Sequence, residues 1–124
     1  MKAKREWLDY INDILDALEK IENFTAGFEL DSFVKDDKTA FAVIRALEII
    51  GEAARKIPKS MRSHYPNIPW QDMAAMRNKL SHDYFGVDLR VVWKTLQIDL
   101  PPLKVGLEEI IQEAFEKNAT RRSI

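Results

Sequence analysis

From Trp7 onward the apolar residues recur at Trp7, Ile11, Ile14, Leu18 and Ile21, alternating spacings of four and three. Residues at those spacings fall on one side of a 3.6-residue helical repeat. Leu8 and Leu15 widen the stripe, while Asp9, Asp13, Asp16 and Glu19 fill the opposite side. The pattern predicts an amphipathic helix of about 20 residues, with Gly27 just beyond it as a stop. A second stripe, Val43, Leu47, Ile50, Ala54 and Ile57, is extended by Ala40 and Ile44 and backed by Arg45, Glu48, Glu52 and Arg55. Asp36 or Asp37 suits its N-cap. Pro58 ends it, because a residue before proline is pushed out of the α region. Gly51 costs a helix interior about 1 kcal/mol against alanine, so it points to close approach by another helix.

Leu30, Phe33 and Val34 can form one short helical turn packed beneath the link between these helices. Residues 60–69 read as a loop with a turn around Met61, since Tyr65-Pro66 and Ile68-Pro69 are extended dipeptides. A third helix begins near Trp70, carries Met73, Ala74, Arg77 and Leu80, and fades at His82 or Tyr84, with Gly86 as the stop. Asp88 then caps a stretch bearing Val91, Val92, Leu96 and Leu100. Pro101-Pro102 predicts a kink or short break before a last helix with Leu103, Leu107, Ile110, Ile111 and Phe115. No alternating strand pattern or hairpin dipeptide occurs. The expectation is an all-α, up-down bundle of four to five main helices in one domain over residues 1–117, with a frayed polar tail at 118–124.

Composition narrows the functions such a bundle can have. At 124 residues the chain makes one domain. Hydrophobic residues are 46% and charged residues 31%, which excludes a disordered chain. The absence of Cys removes disulfides, thiolate metal sites and cysteine nucleophiles, and 2 His make a multi-histidine metal cage improbable. No cofactor is expected. No apolar run approaches the roughly 18 residues of a membrane span, and Met1 to Tyr10 lacks the apolar core of a signal peptide. Lys+Arg is 19 against Asp+Glu 20, a formal charge of −1. Bulk attraction to duplex DNA is therefore not expected, whereas a local basic site on RNA remains compatible.

The candidate chemistry is concentrated in Met76-Arg77-Asn78-Lys79-Leu80-Ser81-His82-Asp83-Tyr84-Phe85-Gly86. His82 can exchange a proton near neutral pH. Arg77 offers a permanently charged, planar fork of donors to phosphate oxygens. Asn78 and His82, four apart, share a helix face if the helix persists that far. Arg77 and His82, five apart, lie about 140° apart around a helix. Two such helices meeting across a two-fold axis could pool two Arg and two His in one cleft. A plainer reading of the same spacing is a helix end, with His82 on the last carbonyls and Arg77 snorkelling at the surface.

Arg77-x4-His82-x-Tyr84, with Asn78 directly after the arginine, resembles the signature of the HepT-like toxins in the HEPN superfamily of ribonucleases. The resemblance extends over roughly residues 6–113. It includes Trp7 to Gly27, the block Ala46-Leu47-Glu48-Ile49-Ile50-Gly51-Glu52-Ala53, Pro69-Trp70 before the motif, Phe85-Gly86-Val87-Asp88, Val92-Trp93 and Asp99-Leu100-Pro101. It implies a cytoplasmic, homodimeric helical bundle that cleaves RNA without a metal. Arg77 and His82 would then be catalytic, with Asn78 supporting them. It also implies a toxin–antitoxin system whose antitoxin is a MntA-like minimal nucleotidyltransferase able to transfer AMP to Tyr84. Two rival readings stay open: a non-catalytic helical docking partner of a nucleotidyltransferase, and a nucleotide-binding subunit in which Arg77 and Asn78 hold ATP phosphates. No Gly-rich phosphate loop supports the latter.

Elsewhere plain readings suffice. His64 reads as a solvent residue, Met73 and Met76 as gap-fillers, and Trp70 and Trp93 as core or dimer packing. Glu48 and Glu52 with Arg45 and Arg55 read as a solvated charge ladder, although Glu48 or Arg45 could contact the motif if that face lines the cleft. The apolar stripes of the first two long helices, with Trp70 and Trp93, suggest more apolar surface than one small bundle must bury, and hence a two-fold homodimer.

Overall fold

The computed structural model describes the backbone of residues 5–82 and 86–122 and the side chains of residues 5–76 and 86–117. Among the described residues seven α-helices follow one another: α1 Trp7–Thr25, α2 Leu30–Lys35, α3 Asp37–Lys56, α4 Lys59–His64, α5 Trp70–His82, α6 Leu89–Lys94 and α7 Leu100–Arg122. A π-turn, Thr95–Asp99, joins α6 to α7 without a break. No strand occurs among the described residues, so the all-α expectation holds.

The starts and stops follow local chemistry. At the head of α1 the Glu6 N–H donates to Asp9 Oδ2 at 2.9 Å. Gly27 turns the chain out of α1 with φ +81°, a left-handed conformation that L side chains adopt at a cost of roughly 1–2 kcal/mol. Asp36 proves to be the N-cap of α3, its carboxylate accepting from Thr39 N–H at 3.0 Å. Asp88 does the same for Arg90 N–H at 2.9 Å, ahead of α6. α3 ends at Lys56, two residues before Pro58.

The two stripes read from the sequence meet to form the centre of the core. Ile11, Ile14 and Leu18 of α1 face Val43, Leu47 and Ile50 of α3, all buried. Leu103, Leu107 and Ile110 of α7 close the core from another side. Phe33 of α2 is fully buried, its ring centroid 5.1 Å from that of Trp93 on α6. That contact fixes the short α2 beneath the link between α1 and α3 and packs the partly buried Trp93 against the core. Trp70, 6% exposed, is anchored by its indole N–H, which donates to Tyr65 O at 3.0 Å. α7 passes close to the link before α5: a Cβ added at Gly106 would stand 2.7 Å from Ile68 Cδ1. Gly51 is buried within α3.

The region of the two prolines differs from the expected kink or break. Pro101 and Pro102 lie in the first turn of α7, and the irregularity is one turn earlier, in the π-turn. Leu100 N–H bonds to Thr95 O, five residues back, in place of the usual four. Prolines at 101 and 102 have no N–H to return to Gln97 and Ile98 O, and their rings press on the turn before them. Widening that turn by one residue gives the rings room and keeps the rod continuous.

Candidate active site

α5 is held at its start and carries the candidate chemistry towards its end. Trp70 and Met73 are buried, and the first turns of α5 dock on α3. The backbone stays helical through His82, so Arg77, Asn78 and His82 all belong to one helix. That meets the condition under which Asn78 and His82 share a face. In helical register the two continue the line of Gln71 and Ala75, both exposed, whereas Arg77 continues the line of Trp70 and Met73. The side chains of residues 77–82 and the whole of Tyr84 lie outside the described residues.

The surroundings of the motif are visible on both sides. A groove of about 440 Å³ runs between α5 and α6, lined by Leu47, Asp72, Met76, Val87, Val91 and Thr95. A second, of about 670 Å³, continues along α5 and the head of α7 past Met73, Ile98 and Leu103, and shares Asp72, Met76 and Thr95 with the first. Together they make one trough beside the helix that bears the motif. On its α6–α7 side Val91, Ile98 and Val105, seven residues apart, are each more than half exposed. Exposed apolar side chains thus stand beside the trough, while others, Phe24 on α1, Phe41 and Ile49 on α3 and Phe115 on α7, lie elsewhere on the surface. The sequence signal was the repeat Val91, Ile98, Val105, hidden because Val92, Leu96 and Leu103 made a competing core stripe beside it.

Other candidates resolve plainly. Arg45 pairs with Glu48 at 3.5 Å, and Arg55 with Glu52 at 3.7 Å, the ladder read from the sequence. Arg45 and Glu48 line a separate polar cleft between α1 and α3, together with Arg5, Tyr10 and Asp13. Arg5 itself pairs with Asp13 at 2.8 Å and stacks over the Tyr10 ring. His64 is exposed, its ring edge-on to Tyr65 at 4.8 Å. Burial, with Glu113 nearby, pushes the Tyr65 phenol above its ordinary pKa, so it stays neutral at physiological pH. Among the described residues no cluster of three or more His, Asp or Glu could hold a metal ion. No described helix is long and apolar enough to cross a membrane.

A helical bundle whose third long helix carries a cation, an amide and a histidine beside an open trough defines a class of all-α proteins with a polar site on one helix. The family model described as "Ribonuclease HepT-like" matches residues 14–110, and the chain belongs to that family. It is 53% identical over 107 residues to a protein of Thermococcus cleftensis described as "Probable ribonuclease HepT", covering 86% of this chain and 97% of the relative. A protein of Methanocaldococcus jannaschii described as a "Putative RNase" is 44% identical over 92% of this chain and 98% of its own length. One of Caldanaerobacter subterraneus with the same description is 39% identical over 91% and 98%. No solved structure matches the chain.

Proposed function

We propose that this protein is a metal-independent endoribonuclease acting through Arg77 and His82. The observation that supports it is the unbroken α5, which carries the family motif on one rigid element beside an open trough. RNA supplies its own nucleophile, the 2′-hydroxyl next to the scissile phosphate. His82 takes the proton from that hydroxyl as the oxygen bonds to phosphorus. The 5′ oxygen of the next nucleotide leaves and takes a proton from solvent or from the protonated His82, acting then as acid. Arg77 holds the phosphate and the added charge of the phosphorane, and Asn78 orients one or both. The products are a 2′,3′-cyclic phosphate and a 5′-hydroxyl, and no metal is needed for either bond change. Purified protein should therefore cut RNA in the presence of EDTA and leave cyclic phosphate ends. Loss of cleavage on chelation would remove the mechanism.

The biological setting that fits is a toxin in the cytoplasm of a prokaryotic cell, neutralised by a MntA-like minimal nucleotidyltransferase that modifies Tyr84. The working form is a two-fold homodimer. Since Arg77 and His82 diverge by about 140° on one helix, a second copy of the motif across an axis brings an arginine to face a histidine. The exposed Val91, Ile98 and Val105 beside the trough supply the apolar contact such a pairing needs. Analytical ultracentrifugation at micromolar concentration should give twice the 14.4 kDa of the chain. Val91→Asp with Ile98→Asp should shift it to monomer, and a monomer for the unaltered protein would overturn the two-fold site.

A further inference from the structure

We infer that the groove between α5 and α6 is a guanine pocket, in which Asp72 reads the base of a nucleotide beside the scissile phosphate; this rests on the ribonuclease reading above. The groove, of about 440 Å³, falls in the range of roughly 300–1,000 Å³ that small organic ligands fill. Leu47, buried in the core, forms its floor, and the partly buried Met76 and Val87 line it above. An unstacked base of single-stranded RNA suits such a lining, because its ring leaves water there and meets a polarisable thioether. Among the described residues the polar side chains of the groove are Asp72, Asp88 and Thr95, and all three present lone pairs. The ionised carboxylates have no proton to give. The Thr95 hydroxyl already donates its proton to Val91 O at 3.1 Å. Asp88 is engaged as the cap of α6 through Arg90 N–H. The Asp72 side chain has no hydrogen bond or ion pair among the described residues, so both its oxygens are open to a ligand.

An apolar slot whose polar groups only accept selects among the four bases. A carboxylate holds two oxygens side by side and is best matched by two neighbouring N–H groups. Guanine alone has that edge, with N1–H beside the N2 amino group. Adenine and cytosine set an amino group next to a bare ring nitrogen, whose lone pair faces the second carboxylate oxygen. Uracil sets its N3–H between two carbonyls, which the carboxylate repels. The same negative charge orients the strand. No lysine or arginine lines the groove among the described residues, and the Asp72 and Asp88 carboxylates repel phosphate oxygens. The base therefore enters while the backbone stays outside. Met76 directly precedes Arg77, and Asp72 stands five residues before it, about 7.5 Å along the helix at 1.5 Å per residue. One rigid element thus carries both the group that reads the base and the group that holds the phosphate.

Cut sites in a random-sequence RNA, mapped by sequencing the products, should show guanine next to the cut. In a defined octamer, replacing that guanosine with inosine, which lacks the 2-amino group, should lower kcat/KM about 10- to 100-fold, the weight of one hydrogen bond to a charged group. Asp72→Asn should lower cleavage at guanine by a similar factor and raise it several-fold at adenine, since an amide both accepts from the N6 amino group and donates to N1. A gain at one base is something misfolding cannot produce. RNA with 2′-O-methyl groups has no nucleophile, so it reads binding apart from chemistry. By fluorescence anisotropy, a labelled 2′-O-methyl hexamer with one guanine among uracils should bind more tightly than its adenine counterpart, and Asp72→Asn should reverse the order. RNA cut and bound with no base preference, or with one that Asp72→Asn leaves unchanged, overturns the pocket and leaves the ribonuclease reading standing. Guanine-selective, Asp72-dependent binding by a protein that never cuts unmodified RNA upholds the pocket and overturns that reading.

Discussion

His82→Ala should lower the rate of RNA cleavage about 10²- to 10⁴-fold, the usual contribution of a positioned acid or base. Arg77→Ala should lower it about 10²- to 10³-fold, the scale seen when one group stabilising developing charge is removed. Both losses should fall on kcat, because proton transfer and phosphorane charge belong to the transition state. The fold should survive both changes. The core lies on the α1–α3–α7 side, and α5 is anchored by Trp70 and Met73 at its other end. Circular dichroism and melting of each variant, beside single-turnover cleavage of a labelled RNA, separate the two cases. A His82→Ala protein that cuts at the unaltered rate removes His82 from the chemistry. If the two motifs meet across the dimer axis, mixing His82→Ala with Arg77→Ala subunits should restore part of the activity, since one composite site in the mixed dimer is then intact.

Co-expression with a minimal nucleotidyltransferase, ATP and Mg²⁺ should add AMP to Tyr84 and silence cleavage. Tyr84 follows His82 by two residues in the sequence, so an adduct on its hydroxyl is expected close to the proposed site. Each AMP brings a phosphodiester charge next to Arg77. Unit charges 4 Å apart near a protein surface interact by about 4 kcal/mol, enough for the adduct to hold the arginine and repel an incoming strand. Bulk and charge act in the same direction. Tyr84→Phe should keep most of the cleavage and escape silencing by modification. Intact-mass spectrometry of the co-expressed protein gives the decision: full inhibition with an unmodified Tyr84 means that the partner works by covering the trough, and the modification has no part in control.

The helices were legible because their causes are local. Caps at Asp36 and Asp88, the stop at Gly27 and the four-three stripes of α1 and α3 each follow from neighbours within a turn or two, and each stands where the sequence placed it. The all-α class followed from the same patterns. The motif was legible as a spacing, and the helical backbone through His82 adds that Arg77, Asn78 and His82 ride one element. Two features depended on distant parts of the chain and escaped. Whether Trp93 faces core or partner turned on Phe33, sixty residues away, whose ring it meets. The exposed Val91, Ile98 and Val105 were masked by the core stripe on the same rod.

The π-turn bears on how this family can vary in length. In a regular helix, loss of one residue rotates everything beyond it by about 100°. In α3 such a loss would carry Ile50 and Ala54 out of the core. The turn at Thr95–Asp99 already holds one residue more than an α-helix requires. A deletion there removes the surplus and leaves Val92 and Leu96 on one side, and Leu103 and Leu107 on the other, facing inward as before. The rings of Pro101 and Pro102 would then press on an ordinary turn, so a shorter chain must lose those prolines as well. A one-residue deletion at this point should therefore be tolerated better when Pro101 and Pro102 are replaced with it than when they are kept.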